Sequence, residues 1–113
     1  MLKTEYAGLD IGNELDTLSC DLVVRNLFHE ILFLSSAMVE CNKQTEFSRI
    51  CSLGAAIQLG DHQLAADVLK INPNFPNLAS TYAKDYRKVK WKSRAAFMEK
   101  IVDWDRLQRH PLN

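Results

Sequence analysis

Cysteine and histidine are the side chains most typical of zinc sites, and cysteine is also a strong nucleophile. They are Cys20, Cys41, Cys51, His29, His62 and His110. No two of them stand at CxxC, HxxxH or HExxH spacing, by which a short segment holds two donors on one ion. No local signature of an activating base surrounds a cysteine, as a thiolate nucleophile would require. We therefore predict no metal site and no cofactor, and we assign the three cysteines to the core.

Paired carboxylates and glycine-rich loops are further signatures of catalysis that a sequence can carry. Asp103 and Asp105 flank Trp104, but residues two apart on a helix point in different directions and form no dyad. The dipeptide His29–Glu30 is typical of a partly buried, satisfied pair inside an apolar helix. The glycines are isolated, and none leads from a strand into a helix as a phosphate loop does. The sequence thus predicts no catalytic residues, and we expect the protein not to be an enzyme.

The strongest positive feature is the segment 82–94, YAKDYRKVKWKSR, which interleaves three aromatic residues with six basic ones. Basic side chains neutralise phosphates and aromatic rings stack on exposed bases, so the pattern is compatible with nucleic-acid binding. It is equally typical of an amphipathic helix whose rings are core and whose bases face solvent, where they could dock an acidic protein. The candidate binding residues in this segment are Lys84, Arg87, Lys88, Lys90, Trp91, Lys92 and Arg94.

The charges of the chain cancel overall but are unevenly distributed. Fourteen basic and fourteen acidic side chains leave no net charge, so composition indicates neither a nucleic-acid nor a membrane partner. Residues 1–46 hold eight acids against three bases, whereas residues 84–100 hold seven bases against two acids. Such asymmetry marks either two functional ends or two parts of the fold that attract each other.

Helical periodicity begins near residue 14, and no sustained β alternation follows it. A length of 113 residues with 47% hydrophobic residues suits one globular domain. We predict a flexible N-terminal arm over 1–13 and a single helical domain over 14–113. The expected fold is a small all-α bundle of four to five helices.

The first half of this domain is divided by its capping residues. Residues 14–41 contain no Gly or Pro, which predicts one long helix with Asn13 as its N-cap. A tight helical hairpin is predicted over 46–70, because Gly60 suits the end of one helix and Asp61 caps the next. Its small residues at 52 and 54–56 would let a neighbouring helix approach closely.

The second half begins after the breaker cluster at 72–77, where Asn77 is the expected N-cap. Residues 78–110 lack Gly and Pro, and they form either one long helix or two helices broken near 88–93, with Ser93 capping the second. One apolar helical face is expected to hold Tyr82, Tyr86, Val89, Phe97, Ile101, Trp104 and Leu107.

The predicted first helix is apolar around nearly its whole circumference, and Leu22 and Phe33 project close to its narrow polar stripe. Such a helix is either the central helix of a bundle or docks against a partner, which makes Leu22 and Phe33 candidate partner-binding residues. Its most apolar stretch, 22–39, includes Arg25, His29 and Glu30, so we expect no membrane span. Cysteines without close pairs and a start without an apolar signal region predict a cytoplasmic protein.

Residues 52–74, SLGAAIQLGDHQLAADVLKINPN, resemble a helix–turn–helix hairpin of the tetratricopeptide type, in which Gly60, Ala65 and Pro73 match the expected order. The chain is also similar to the small AraC negative regulators, which bind transcription regulators, through Phe47, Gly60, Ala65, Ala66, Tyr86, Arg87, Trp91 and Arg94. A third resemblance, to helical-hairpin chaperones of secretion systems, rests on RICSL followed by Gly60–Asp61. All three imply a helical hairpin, and the likeness to the AraC negative regulators also implies protein binding.

The function we predict is that of a non-enzymatic protein-binding adaptor, a regulator or chaperone that acts through a partner protein. Its contacts would lie at Leu22 and Phe33 or on the basic segment. Self-association is a further interaction that an apolar first helix allows, whereas no membrane partner is expected. The alternative is a nucleic-acid-binding transcriptional regulator that uses the segment 82–94.

Overall fold

The computed structural model describes residues 11–109, with side chains from residue 14 onward. This part of the chain is all-α and contains no strand, which confirms the predicted fold class. It holds six helices rather than four to five: α1 (Ile11–Val24), α2 (Phe28–Glu40), α3 (Glu46–Gln58), α4 (His62–Ile71), α5 (Phe75–Lys88) and α6 (Lys92–Arg109). None of these six is both long and apolar enough to cross a bilayer. Of the predicted arm 1–13, residues 1–10 lie outside the described part and the last three belong to α1.

The helix predicted over 14–41 is broken in two, which accounts for the additional element. α1 ends at Val24 and α2 begins at Phe28, and between them Asn26 takes a left-handed backbone with φ of 59°. Asparagine tolerates this conformation better than most residues, so a helix can end without Gly or Pro. The segment after 78 is also divided, at Lys90 with φ of 64°, so the two-helix alternative is correct.

Four helices end in the same hydrogen-bonded turn. The left-handed residue donates its N–H to the carbonyl three residues back, and the next N–H reaches the carbonyl five residues back. The left-handed residues are Asn26, Asn42, Gly60 and Lys90. This Schellman arrangement brings the residue after the turn against the last turn of the helix, and at the end of α5 it places Trp91 beside Tyr86.

Helix starts confirm some of the predicted caps and correct others. Asp61 caps α4 as predicted, since its carboxylate accepts the Leu64 N–H at 3.1 Å. Asn13 lies inside α1 because the helix begins at Ile11. Asn77 lies inside α5, and Ser93 lies in the first turn of α6.

α5 starts earlier than predicted because Pro76 suits the first turn of a helix, where no backbone N–H is needed. α3 begins with a capping box, in which the Thr45 hydroxyl accepts the Ser48 N–H and Ser48 Oγ accepts the Thr45 N–H, both at 2.9 Å. Thr45 Oγ1 also donates to Asp16 Oδ1 at 2.6 Å, which ties the start of α3 to α1.

The central helix of the bundle is α3, not the first helix. α3 packs against each of the other five described helices. Every residue from Phe47 to Ala56 is buried except Arg49. Small residues make this possible. A Cβ atom at Gly54 would lie only 2.4 Å from Cζ of Phe97 on α6, so the ring fits there because position 54 has no side chain. The predicted close approach of a neighbouring helix is therefore confirmed, and α6 is that neighbour.

The core extends from α3 into every neighbouring helix, with fully buried residues such as Ile31 on α2, Phe75 on α5 and Ile101 on α6. Three residues predicted to be in the core lie on the surface instead: Cys41, Val89 and Leu107. Cys41 and Val89 are exposed because helices end there, at breaks that the apolar periodicity does not reveal.

Gly54→Ala is expected to destabilise the protein by about 1–3 kcal/mol, the usual effect of overpacking a core. The added methyl group would overlap the ring of Phe97, which is only 5% exposed and stacks on Phe28 with ring centroids 6.2 Å apart. Urea denaturation followed by circular dichroism measures the loss. In a Phe97→Leu background the same change should destabilise less, and equal losses in both backgrounds would rule out the close approach as the cause.

Lys90→Gly is expected to stabilise the protein by about 0.5–1 kcal/mol, because glycine takes the left-handed backbone without the strain that a Cβ imposes. The side chain of Lys90 is exposed, so little packing is lost. Lys84→Gly, at an exposed position inside α5, is the control and should destabilise by about 1 kcal/mol. A loss of stability in Lys90→Gly, measured by thermal denaturation, would contradict this account of the turn.

Candidate functional site

The basic segment 82–94 forms the end of α5, the following turn and the start of α6. Within α5 the helix separates its aromatic residues from its lysines. Tyr82 and Tyr86 pack against the core, whereas Lys84 and Lys88 are exposed and lie on the opposite face at ~100° per residue. The interleaved pattern therefore forms two surfaces on α5, and its rings and bases meet only at the turn.

Arg87 serves the packing of α5 against α6. Its guanidinium forms an ion pair with the carboxylate of Glu99 on α6. Both side chains are substantially exposed, so the pair contributes little to stability, but its geometry directs Arg87 into the groove between the two helices. Arg87 is thus the one member of the predicted basic set that a carboxylate of the described chain engages.

Trp91 and Arg94 form a stacked pair at the turn. The Arg94 Cζ lies 4.3 Å from the centroid of the Trp91 ring and 6.0 Å from that of Tyr86. The Tyr86 and Trp91 centroids are 5.9 Å apart. These distances are within cation–π and aromatic range, so the Trp91 ring is held in place although half of it is exposed.

The local backbone explains why these three side chains meet. The left-handed residue Lys90 lets the Trp91 N–H reach the Tyr86 carbonyl at 2.9 Å, which sets Trp91 beside Tyr86. The Trp91 carbonyl then accepts the Ala95 N–H at 3.1 Å and begins α6. Arg94 therefore stands three residues after Trp91, at a spacing that places two side chains on one face of a helix.

The end of α1 completes this surface. Val24 is 45% exposed, and together with Trp91, Lys92, Ser93 and Arg94 it lines a pocket of about 200 Å³. This volume is below the range of about 300–1,000 Å³ that small-molecule sites occupy, and it suits one protruding side chain. We call Val24, Lys90, Trp91, Lys92 and Arg94 the turn surface.

The lysines of the segment are exposed, and their charges are not paired with carboxylates of the described residues. Lys84, Lys88, Lys90 and Lys92 form no ion pair with any residue of the described part of the chain. Three of them, at 88, 90 and 92, lie within two residues of the turn, and the nearest acid in sequence is Asp85. The turn surface therefore combines a fixed aromatic ring with a local excess of positive charge.

The two candidate residues of the predicted first helix are separated by the break at Asn26. Leu22 lies on α1 and is partly buried against the core, so it is a packing residue. Phe33 lies on α2 and is 78% exposed, as its projection near the polar stripe predicts. His29 and Glu30 are also exposed on α2, not partly buried as expected, because this face of the helix has no neighbour among the described residues.

A second surface depression, of about 320 Å³, lies where α2, α3 and α4 meet. Its rim includes Val39 and Ile71, each about half exposed, and Val68 and Ser52 lie below them. Sequence patterns miss this groove because its residues come from the ends and middles of three helices. The only local signal is that Val39 and Ile71 are β-branched apolar residues at helix C-termini.

Cys20 and Cys51 have thiols of low reactivity. The Cys20 Sγ lies 3.9 Å from the Tyr86 hydroxyl, and burial raises the pKa of both groups above their ordinary values. Burial likewise raises the pKa of the Cys51 thiol. Both thiols are thus protonated at neutral pH, and a protonated thiol is a poor nucleophile. Among the described residues, no three His, Cys, Asp or Glu side chains cluster as metal ligands would.

Comparison of the chain with protein-family models, with curated proteins and with solved structures finds no match in any of the three.

Leu22→Asp and Phe33→Asp are expected to differ sharply in stability. Leu22→Asp should lower the free energy of unfolding by ~2 kcal/mol or more, because it places a carboxylate against the core. Phe33→Asp should change it by no more than ~0.5 kcal/mol, the usual range for a substitution on the surface. Urea denaturation of the two variants measures both values, and similar losses would contradict the assignment of Leu22 to packing and Phe33 to the surface.

Proposed function

We propose that this protein is a non-enzymatic adaptor of the cytoplasm, a regulator or chaperone that acts by binding a partner protein through its turn surface. The observation that carries this proposal is the half-exposed ring of Trp91, held between Tyr86 and Arg94 beside the pocket at Val24. Trp, Tyr and Arg are the residue types most enriched among those that dominate binding energy at protein interfaces.

The rigidity of this arrangement supports a recognition role. A flexible surface tryptophan would lose rotamer freedom on binding, and that loss weakens association. Trp91 is already positioned by Tyr86, Arg94 and the Schellman turn, so little freedom remains to be lost. An exposed aromatic ring that the fold itself orients is therefore suited to act as an anchor.

The α3–α4 hairpin supports the same class of function. Its turn has the left-handed Gly60 followed by the cap Asp61, and Ala65 is fully buried against α3. This order of residues resembles a tetratricopeptide-type hairpin and the AraC negative regulators, and the second likeness implies protein binding. The groove at Val39 and Ile71 flanks the hairpin and offers a second contact area.

Nucleic-acid binding is the second candidate function, and the observation that favours it is the set of four uncompensated lysines at 84, 88, 90 and 92. If they grip phosphates, Lys88→Ala and Lys90→Ala together should flatten the dependence of log K on log salt by roughly one unit per lost contact. Fluorescence anisotropy with labelled duplex and single-stranded DNA measures the slope, and an unchanged slope would reject phosphate binding by these residues.

Trp91→Ala is expected to abolish capture of the partner, because truncating an interface anchor weakens binding by about 2 kcal/mol, or roughly 30-fold. The experiment is a nuclease-treated pull-down of the tagged protein from its native cell, quantified by mass spectrometry. Leu107→Ala is the matched control, since Leu107 is a large apolar side chain with 58% exposure near the other end of α6.

A protein retained by the wild type and by Leu107→Ala but lost by Trp91→Ala would support the proposal. Thermal denaturation of all three proteins checks that the loss does not come from unfolding. If every protein retained by the wild type is also retained by Trp91→Ala, the turn surface is not the docking site.

A further inference from the structure

We infer that the segment which docks on the turn surface is acidic and amphipathic: it places one large apolar side chain in the pocket beside Val24 and Trp91, and it sets carboxylates against Lys90 and Lys92. This inference rests on the proposed function and specifies the chemistry of the partner. Three observations carry it: the size of the pocket, the uncompensated charge around it and the occupied face of the Trp91 ring.

The pocket determines the apolar part of the partner. Its volume of about 200 Å³ accepts a single side chain, and the exposed parts of Val24 and Trp91 supply its apolar wall. Burying apolar surface is favourable in proportion to its area, so a leucine or an aromatic residue gains most from this position. A folded partner or a short helix can present one such side chain at its centre.

The surrounding charge determines the polar part. Lys92 and Arg94 line the pocket itself, Lys90 stands at the adjoining left-handed turn, and Lys88 precedes it on α5. No carboxylate of the described residues pairs with the three lysines. Charge of the opposite sign on the partner speeds association and rejects basic competitors. The complementary surface is therefore one whose apolar anchor is flanked by Asp or Glu.

The stacking of Arg94 favours a protein partner over a single-stranded nucleic acid. A strand of nucleotides stacks its bases on several free ring faces, and Arg94 covers one of the two faces of Trp91 at 4.3 Å. The other rings of the segment, Tyr82 and Tyr86, pack against the core on the side of α5 opposite Lys84 and Lys88. The turn surface thus offers at most one free ring face and lacks the series of open rings on which successive nucleotides would stack.

The test is an unbiased selection of peptides. A random 16-residue display library is selected on the full-length wild-type protein and, in parallel, on Trp91→Ala, and peptides enriched only on the wild type are sequenced. We expect these peptides to carry net negative charge and one aromatic residue or leucine. The strongest peptide is then synthesised with a fluorescent label, and its affinity is measured by anisotropy.

Charge reversal provides the second readout. Lys90→Glu with Lys92→Glu should weaken the peptide at least ~10-fold. Lys43→Glu with Lys100→Glu is the matched control, because both lysines are exposed away from the turn and the net charge changes equally. This control should change the affinity by less than ~2-fold, as expected for charges outside an interface.

The outcomes separate this inference from the proposed function. If the peptides whose binding depends on Trp91 are neutral or basic, the inference of an acidic partner is wrong, but the proposed adaptor function is still supported. A failure to enrich any peptide that depends on Trp91 would overturn the acidic segment as the partner, whereas the adaptor function is decided by the pull-down with Trp91→Ala. If labelled oligo-dT binds more tightly than the best peptide, and Trp91→Ala abolishes that binding, the partner of the turn surface is a nucleic acid and not an acidic protein.

Discussion

The contact between Gly54 and the ring of Phe97 brings α3 and α6 closer than any side chain at position 54 would allow. Because α3 touches every other described helix, this distance sets where α6 lies relative to the rest of the bundle. α6 also packs against α1, and this contact brings the start of α6 to the end of α1. Val24 and Trp91, 67 positions apart in the chain, line one pocket because α6 packs against both α3 and α1.

The turn between α5 and α6 combines local backbone strain with the exposed turn surface. A lysine in the left-handed region is less stable there than a glycine, and half of Trp91 stays in water. Residues in unfavourable backbone conformations persist where the surrounding structure enforces them, and they are common at functional sites. At this turn the left-handed backbone of Lys90 places Trp91 against Tyr86, and the Arg94 guanidinium lies over both rings. The strained backbone and the proposed binding surface thus involve the same few residues.

Hydrophobicity alone does not locate the centre of the bundle. The segment 14–41 is apolar on nearly all sides, but its helix is broken at Asn26, and α2 leaves Phe33 in solvent. The central helix is α3, whose inner residues are mostly small. A helix surrounded by five neighbours must admit them closely, and Gly, Ala and Ser do so where larger apolar residues would hold the neighbours apart. Small residues, rather than large apolar ones, are the better sequence signal of the central position here.

The sequence by itself determined the helical class, the α3–α4 hairpin and its turn at Gly60–Asp61, because periodicity and capping act over a few neighbouring residues. It also contained most of the turn surface, since Lys90, Trp91, Lys92 and Arg94 are neighbours along the chain. Only the tertiary structure decided that Arg87 pairs with Glu99, that Leu22 belongs to the core and that Val24 completes the pocket beside Trp91. These contacts join distant segments, and their geometry depends on how closely whole helices pack, which no local pattern records.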